Sequence, residues 1–157
     1  MIILKQLTIK YLCDFKENAR PLDLQEVLLS SGQVFEDTPL RDLIISNAIV
    51  AIDTETNEVY AIGGIIEKEH TVWMLCTYAV EKNPIKFLKF SKRVLKDALV
   101  QYDYLTNKVW IGNELHTKWL SWLGAKFGAV SNDGFQEFTL GGTKGRCECV
   151  MQAFQPV

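Results

Sequence analysis

The sequence predicts an α/β fold of the α+β type, in which a mixed central sheet with flanking helices contains an antiparallel meander followed by a long helix. Three observations lead to this prediction. Between Ala48 and Val80, apolar stretches alternate with short polar turns, as in consecutive antiparallel strands. From Asn83 to Asp103 the apolar spacing changes to the helical period of about 3.6 residues. A strand-like stretch, Lys108–Ile111, then leads into a second helical pattern.

The N-terminal part of the chain predicts one strand and two helices. Ile2–Leu7 is an apolar strand, and Thr8 can cap a helix that runs to Asn18. A second short helix has Asp23 as its cap and ends at Gly32, since glycine readily adopts the left-handed conformation that terminates helices. The first helix is expected to turn these side chains inward: Ile9, Leu12, Cys13 and Phe15.

A third short helix is predicted at Leu40–Ser46, because Thr38 and Pro39 supply a cap followed by proline at the first helical position. The meander follows as three strands: Ala48–Ile52, Glu58–Glu67 and Thr71–Val80. Paired glycines weaken a strand and mark a bulge or a close approach. Gly63 and Gly64 therefore indicate either a structural bulge or the floor of a ligand pocket.

The long helix predicted from Asn83 to Asp103 is amphipathic. Its apolar face has helical spacing and contains Phe87, Leu88, Ser91, Val94, Leu95, Ala98, Leu99 and Tyr102. Its other face carries a basic stripe of Lys86, Lys89, Arg93 and Lys96. The stripe is either a solvated face or a surface that binds an anion or an acidic protein partner. Lys89, Arg93 and Lys96 are its candidate partner-binding residues.

The stretch Asn113–Gly124 predicts a helix, with Asn113 as its cap and Gly124 as its stop. Its expected apolar face contains Leu115, Trp119, Trp122 and Leu123. A late strand follows at Phe135–Leu140, and a C-terminal strand or tail begins at about residue 141, with Arg146–Phe154 as its candidate strand. A chain of 157 residues of this composition is expected to form a single domain, residues 1–157.

Composition excludes several classes of protein. The net charge of −2 and the absence of aromatic residues from the basic stripe argue against nucleic-acid binding. No apolar stretch approaches the roughly 20 residues of a membrane span, and the first residues lack a basic leader. Cys147 and Cys149 have no further ligands at suitable spacing, so no metal site is predicted. The cysteine pattern is that of a reducing cytosol.

The order of elements resembles the GNAT (Gcn5-related N-acetyltransferase) fold over Ile2–Leu140. The spacing from Asn113 to Gly124 is similar to the last conserved motif of that family, which runs from asparagine through tyrosine to glycine. The tyrosine position is Leu120 in this chain. In that family the tyrosine is the usual proton donor to the departing thiolate. The resemblance therefore implies that this chain has the GNAT fold but lacks the usual general acid.

The resemblance also implies that acetyl-CoA, if bound, would lie at the turn before the long helix. Enzymes of the family wrap the pyrophosphate there with glycines and with backbone amides at a helix N-terminus. The corresponding residues here, Val80–Phe87, contain no glycine, and Pro84 removes an amide donor. Tight binding of CoA in the usual manner is therefore not expected. The candidate contacts, if CoA binds, are Val80, Lys82, Ile85, Lys86 and Asn113.

Candidate acid–base residues follow from position alone. GNAT enzymes commonly use a carboxylate on the meander strands, which suggests Glu67, with Glu69 and Asp53 as further candidates. His116 lies one turn before Leu120 and could act as an acid or base, although a histidine on the polar side of a helix is more often surface filler.

A narrower resemblance is carried by three phrases: Val72-Trp-Met-Leu, the helix opened by Pro84 with Phe87 and Val94-Leu95, and His116–Gly124. They are similar to GNAT-like proteins of tailed phages, a family that includes the small internal virion protein of short-tailed coliphages. This implies a phage-encoded chain made in the bacterial host cytoplasm, with the virion as a second location. Together with the missing glycines and Leu120, it favours a protein that acts by binding another protein, as a virion component or a host-directed effector. The alternative is an acetyl-CoA-dependent N-acetyltransferase with an atypical cofactor site. Oligomeric state is left open.

Overall fold

A computed structural model of the chain describes residues 1–32 and 47–142. They form two compact units, one from Met1 to Phe90 and one from Ser91 onward. The predicted helix at Leu40–Ser46, the strand at Arg146–Phe154 and the pair Cys147 and Cys149 lie outside the described residues. No helix of the described part is long and apolar enough to cross a bilayer.

Within residues 1–32 and 47–90, the first unit contains four antiparallel strands that pair in chain order. They are β1 (Ile2–Gln6), β2 (Ile49–Asp53), β3 (Val59–Ile66) and β4 (Thr71–Cys76). Two helices connect to this sheet, α1 (Ile9–Asn18) against β3 and α2 (Pro21–Ser31) against β4. The three predicted meander strands and the N-terminal strand are confirmed.

The core of the first unit lies between α1 and the sheet. Its fully buried side chains include Leu12 and Phe15 of α1, together with apolar residues of the strands. Thr8 caps α1 as predicted, since its hydroxyl accepts from the Tyr11 amide at 3.3 Å. The prediction that Ile9 and Cys13 face inward is wrong, because both are exposed.

Helix α2 begins earlier than predicted. Pro21 is its first residue, where its lack of an amide hydrogen costs no hydrogen bond, and Arg20 occupies the cap position. Asp23 is therefore not the cap. It lies inside the first turn and is completely buried. Gly32 ends the helix with a φ of +73°, as the sequence predicted.

The chain leaves the sheet earlier than predicted. Strand β4 ends at Cys76, and residues 77–80, predicted as strand, form a turn that enters the one-turn helix α3 (Ala79–Lys82). The long helix α4 (Pro84–Gln101) then begins, close to the predicted bounds. Phe87 fixes the start of α4 on the meander, because its ring stacks on that of Tyr60 in β3 with centroids 6.0 Å apart.

The described residues of the second unit form three further strands and one further helix. They are β5 (Tyr104–Trp110), α5 (Glu114–Trp122), β6 (Lys126–Val130) and β7 (Phe135–Gly141). Strand β7 pairs antiparallel with both β5 and β6. The sequence predicted β5, α5 and β7 but not β6, whose Gly128 and mostly exposed side chains give no apolar alternation.

The buried face of α5 also differs from the prediction. His116 and Leu120 are buried, whereas Trp122 is 43% exposed and Leu115, Trp119 and Leu123 are half-buried. The prediction that His116 lies on a polar surface is therefore wrong. Gly124 does follow the helix with a φ of +85°, as expected for a left-handed stop.

The paired glycines of β3 are explained by their close contacts with the neighbouring strand, β4. Gly63 and Gly64 continue the regular register with β4, so they form no bulge. A β-carbon at Gly63 would lie 2.5 Å from the backbone oxygen of Trp73, and one at Gly64 would lie 3.1 Å from the Trp73 indole nitrogen. The glycines thus permit the close approach of β4 and the Trp73 ring.

Candidate functional site

At the turn between β4 and α4, where the resemblance to the GNAT fold implies that a CoA pyrophosphate would lie, the backbone amides of residues 79–83 are already bonded. Four successive amides, those of residues 80–83, donate to the carbonyls of Thr77, Tyr78 and Ala79 at 3.0–3.3 Å. The preceding amide, that of Ala79, donates to the Thr77 hydroxyl at 3.2 Å. Pro84 has no amide hydrogen to offer. From residue 79 to Pro84, the chain therefore presents no row of free amides to an anion.

Lys86 is the third residue of α4, and its side chain is paired with a carboxylate. Its ammonium forms an ion pair with Asp53, the last residue of β2. Asp53 is only 1% exposed and also accepts the Glu55 amide at 2.9 Å. The hydrogen bond from Lys86, helped by that amide, lowers the pKa of Asp53 to about 2. The same hydrogen bond raises the pKa of Lys86.

This ion pair has two consequences for the candidate roles. A carboxylate with a pKa of about 2 is a very weak base at neutral pH, so Asp53 is unsuited to general-base catalysis. The Lys86 ammonium compensates a buried charge, and moving it to a phosphate would leave Asp53 without that partner.

A second polar contact stabilises the same turn and was not found by sequence reasoning. The side-chain amide of Asn83 donates to the hydroxyl of Tyr60 at 3.2 Å. Tyr60 is 1% exposed, and its burial raises the pKa of the phenol, so the group stays neutral. The sequence signal was ambiguous, because Tyr60 reads as one more apolar residue of a strand and Asn83 as an ordinary helix cap.

The end of β4 is held from the other side by α2. Arg20 and Asp23, both buried, form an ion pair, and a carboxylate oxygen of Asp23 accepts the Cys76 amide at 2.6 Å. The Arg20 amide donates to the Cys76 carbonyl at 3.0 Å, and its guanidinium contacts Glu81 at 3.4 Å. Both backbone groups of Cys76 are thus satisfied by protein atoms.

Of the candidate CoA contacts, four come together at this turn. Val80 is buried beneath it, whereas Lys82 and Ile85 are exposed and Lys86 is partly exposed. Asn113 belongs to the second unit, where it precedes α5, is fully buried and forms no capping hydrogen bond through its side chain. These residues do not fit the group that the fold would bind there, because the amides of residues 79–83 are used, Pro84 has none and Lys86 is paired with Asp53.

The candidate acid–base residues are not brought to the turn. Glu67 and Glu69 lie in the 3₁₀ turn before β4, whereas the candidate CoA turn follows β4. The six residues of that strand separate the two ends by about 20 Å. His116 and Leu120 lie one helical turn apart on the buried side of α5 in the second unit.

The candidate partner-binding residues, Lys89, Arg93 and Lys96, are exposed along α4. Lys86, the first member of the predicted stripe, is 41% exposed and forms an ion pair with Asp53. The part of the stripe that Asp53 does not engage therefore begins at Lys89.

Solved structures with a similar fold include GNAT acetyltransferases. A GNAT-family acetyltransferase from Bacillus anthracis is 13% identical with a TM-score of 0.61, covering 88% of this chain and 92% of its own. The GNAT domain of an S. lividans protein named PAT is 11% identical with a TM-score of 0.61 and covers 87% and 88%. A spermidine N-acetyltransferase chimera from Vibrio cholerae is 9% identical with a TM-score of 0.58 and covers 95% and 98%.

These likenesses show that the chain has the GNAT fold, as the order of its elements suggested, and their low identities carry no further than the fold. No curated protein sequence matches the chain. A phage protein family, described as "Bacteriophage T7, probable scaffold protein Gp13", matches residues 48–139. Because this match spans more than half of the 157 residues, the chain belongs to that bacteriophage family.

Proposed function

We propose that this chain is a phage assembly protein that uses a GNAT fold to bind other proteins and does not transfer acetyl groups. Its place would be the cytoplasm of the infected bacterium during assembly and the virion afterwards. The family supports an assembly role, since its description names a scaffold protein.

The bonded turn before α4 is the observation that carries this proposal. A GNAT enzyme needs amide donors at this turn, and the amides of residues 80–83 all donate to carbonyls within it. Opening the turn for a pyrophosphate would break those bonds and would also disturb the Tyr60–Asn83 contact. Each broken backbone hydrogen bond leaves a polar group that must find a new partner, and this cost disfavours CoA binding.

The positions of the acid–base candidates support the same proposal. Leu120 has no proton to donate, and Glu67 lies at the far end of β4 from the turn. General acid assistance typically contributes about 10²–10⁴-fold to a rate, so its loss would leave very slow transfer. An N-acetyltransferase with an atypical cofactor site remains the alternative that the experiment must exclude.

Calorimetric titration of the purified protein with acetyl-CoA tests the proposal. We expect no heat of binding at ligand concentrations of about 1 mM. The dissociation constant would then exceed about 1 mM, and the binding free energy would be weaker than roughly −4 kcal/mol. Lys82→Ala provides the matched control, because it removes the exposed cation of the turn without touching the Lys86 ion pair. Micromolar binding that is weakened by Lys82→Ala would establish a CoA site and contradict the proposal.

A further inference from the structure

The second unit carries an apolar groove with a basic rim, here called the α4 groove. It has a volume of about 380 Å³ and lies between the C-terminal half of α4 and the end of α5. Its lining consists of four apolar and two basic residues: Leu95, Leu99, Val100, Leu123, Lys92 and Lys96.

The apolar part of the groove is unusually open to solvent. Val100 is 84% exposed, the largest exposure among the exposed large apolar side chains of the described residues. Leu95, Leu99 and Leu123 are only half-buried. Contiguous exposed apolar surface bordered by polar groups is typical of a protein-interaction site.

The charged residues that line the groove have one sign. The two ionisable residues that line it are lysines, and neither Lys92 nor Lys96 forms an ion pair with a described residue. Lys89 and Arg93 extend the basic surface along the same helix. On α5, the Lys118 ammonium lies 5.2 Å from the centre of the exposed Trp122 ring. An occupant that complements this surface would combine apolar side chains with carboxylates.

We propose that the α4 groove docks an amphipathic helix of an assembly partner whose apolar stripe is flanked by aspartate and glutamate. The inference rests on the proposed function, since it takes the ligand to be a protein. Lys92–Val100 spans about 12 Å along α4, or roughly two helical turns. Helix-in-groove recognition supplies apolar anchors at such spacing, and the flanking carboxylates meet Lys92 and Lys96.

The groove can be probed with a synthetic helix in nuclear magnetic resonance titrations of the full chain. The probe is a peptide of about 15 residues with leucine at helical spacing and glutamate elsewhere, and its control carries lysine for every glutamate. We expect the acidic peptide alone to shift the amide signals of Leu95, Leu99 and Val100. Val100→Asp and the pair Lys92→Glu with Lys96→Glu should each weaken binding by about tenfold or more.

A matched control excludes a general effect of charge on an exposed apolar residue. Ile9 on α1 is 61% exposed and belongs to the first unit, so Ile9→Asp should leave peptide binding unchanged. Val100→Ser serves as a milder variant if Val100→Asp lowers the melting temperature. Equal binding of both peptides, or binding that survives Val100→Asp and Val100→Ser, would overturn the inference.

Complementation of a phage that lacks the gene separates this inference from the proposed function. We expect Val100→Asp to lower the yield of infectious particles, while Ile9→Asp leaves it unchanged. Normal yield with Val100→Asp, in a protein that does not bind acetyl-CoA, would overturn the groove and leave the assembly proposal standing. Two other occupants would also overturn the inference. A second copy of the chain would show as self-association that Val100→Asp abolishes. Residues 143–157 would show as a shift of the groove's amide signals when Phe154→Ser is introduced without any peptide.

Discussion

Asp53 determines what its neighbouring lysine can do. Asp53 was a candidate base and Lys86 a candidate phosphate contact only because of their positions along the chain. In the folded protein the two side chains pair with each other, and the carboxylate is almost completely buried. A buried carboxylate needs a compensating charge, so the pair has a structural use that sequence spacing could not reveal.

The pH dependence of stability tests this pair. The folded pKa of Asp53 is about 2, below the ordinary value of 3.8, so folding favours the ionised form. Its stabilising contribution is therefore present above about pH 4 and is lost as the pH falls through about 2. We expect Asp53→Asn and Lys86→Met to lower the melting temperature near neutral pH and to approach the wild type near pH 2. A difference that stays constant across this range would contradict the assignment.

The glycine at position 63 offers a steric prediction. Its missing β-carbon would lie 2.5 Å from the Trp73 backbone oxygen, an atom that cannot rotate away. Gly63→Ala should therefore destabilise the protein by about 1–3 kcal/mol, the usual range for overpacking. Gly128→Ala is the control, because its β-carbon would meet its nearest neighbour at 3.6 Å. Urea melts that give both variants the same loss would show that the contact is not tight.

Helix α4 illustrates how an element combines two surfaces. The sequence predicted one continuous apolar face, and Phe87 at its start is indeed buried against Tyr60. Further along, Leu95 and Leu99 are only half-buried and line an open groove. Helical periodicity records which residues share a face, but it cannot tell whether the whole face is covered.

This difference along α4 gives a stability prediction. Phe87→Ala removes a buried ring and should cost about 3–5 kcal/mol. Leu95→Ala should cost clearly less, because part of that side chain already contacts solvent. Lys92→Ala, at an exposed position, should change stability by less than about 0.5 kcal/mol. Urea melts in which Leu95→Ala is as damaging as Phe87→Ala would mean that the groove is filled in solution.

At the scale of the whole molecule, the fold and the family suggest different activities. The solved structures of similar fold are acetyltransferases, whereas the family description names a phage scaffold protein. A fold does not by itself determine a function, because function depends on the chemistry of particular sites. Here the turn that would have to bind the cofactor is filled by its own hydrogen bonds.

An assembly role predicts that the acid–base candidates are dispensable. Glu67 is exposed in the turn before β4, so Glu67→Gln should leave both folding and particle yield unchanged. His116 is buried, and His116→Ala should reduce yield only to the extent that it lowers the melting temperature. Particle yields from complemented phage, compared with melting temperatures, provide the measurement. A loss of yield with Glu67→Gln in a fully stable protein would point to a chemical role.

The sequence alone determined the order of strands and helices, the meander, the start of the long helix and the glycine stops. These depend on local patterns: apolar period, capping residues and backbone freedom. Tertiary structure decided what those patterns leave open, namely that His116 turns inward, that Lys86 pairs with Asp53 and that β6 forms beside β7. The Lys86–Asp53 pair joins residues 33 positions apart in the chain, and all three features depend on packing against other parts of the fold. Their energies depend on burial and neighbouring charge, which no local pattern records.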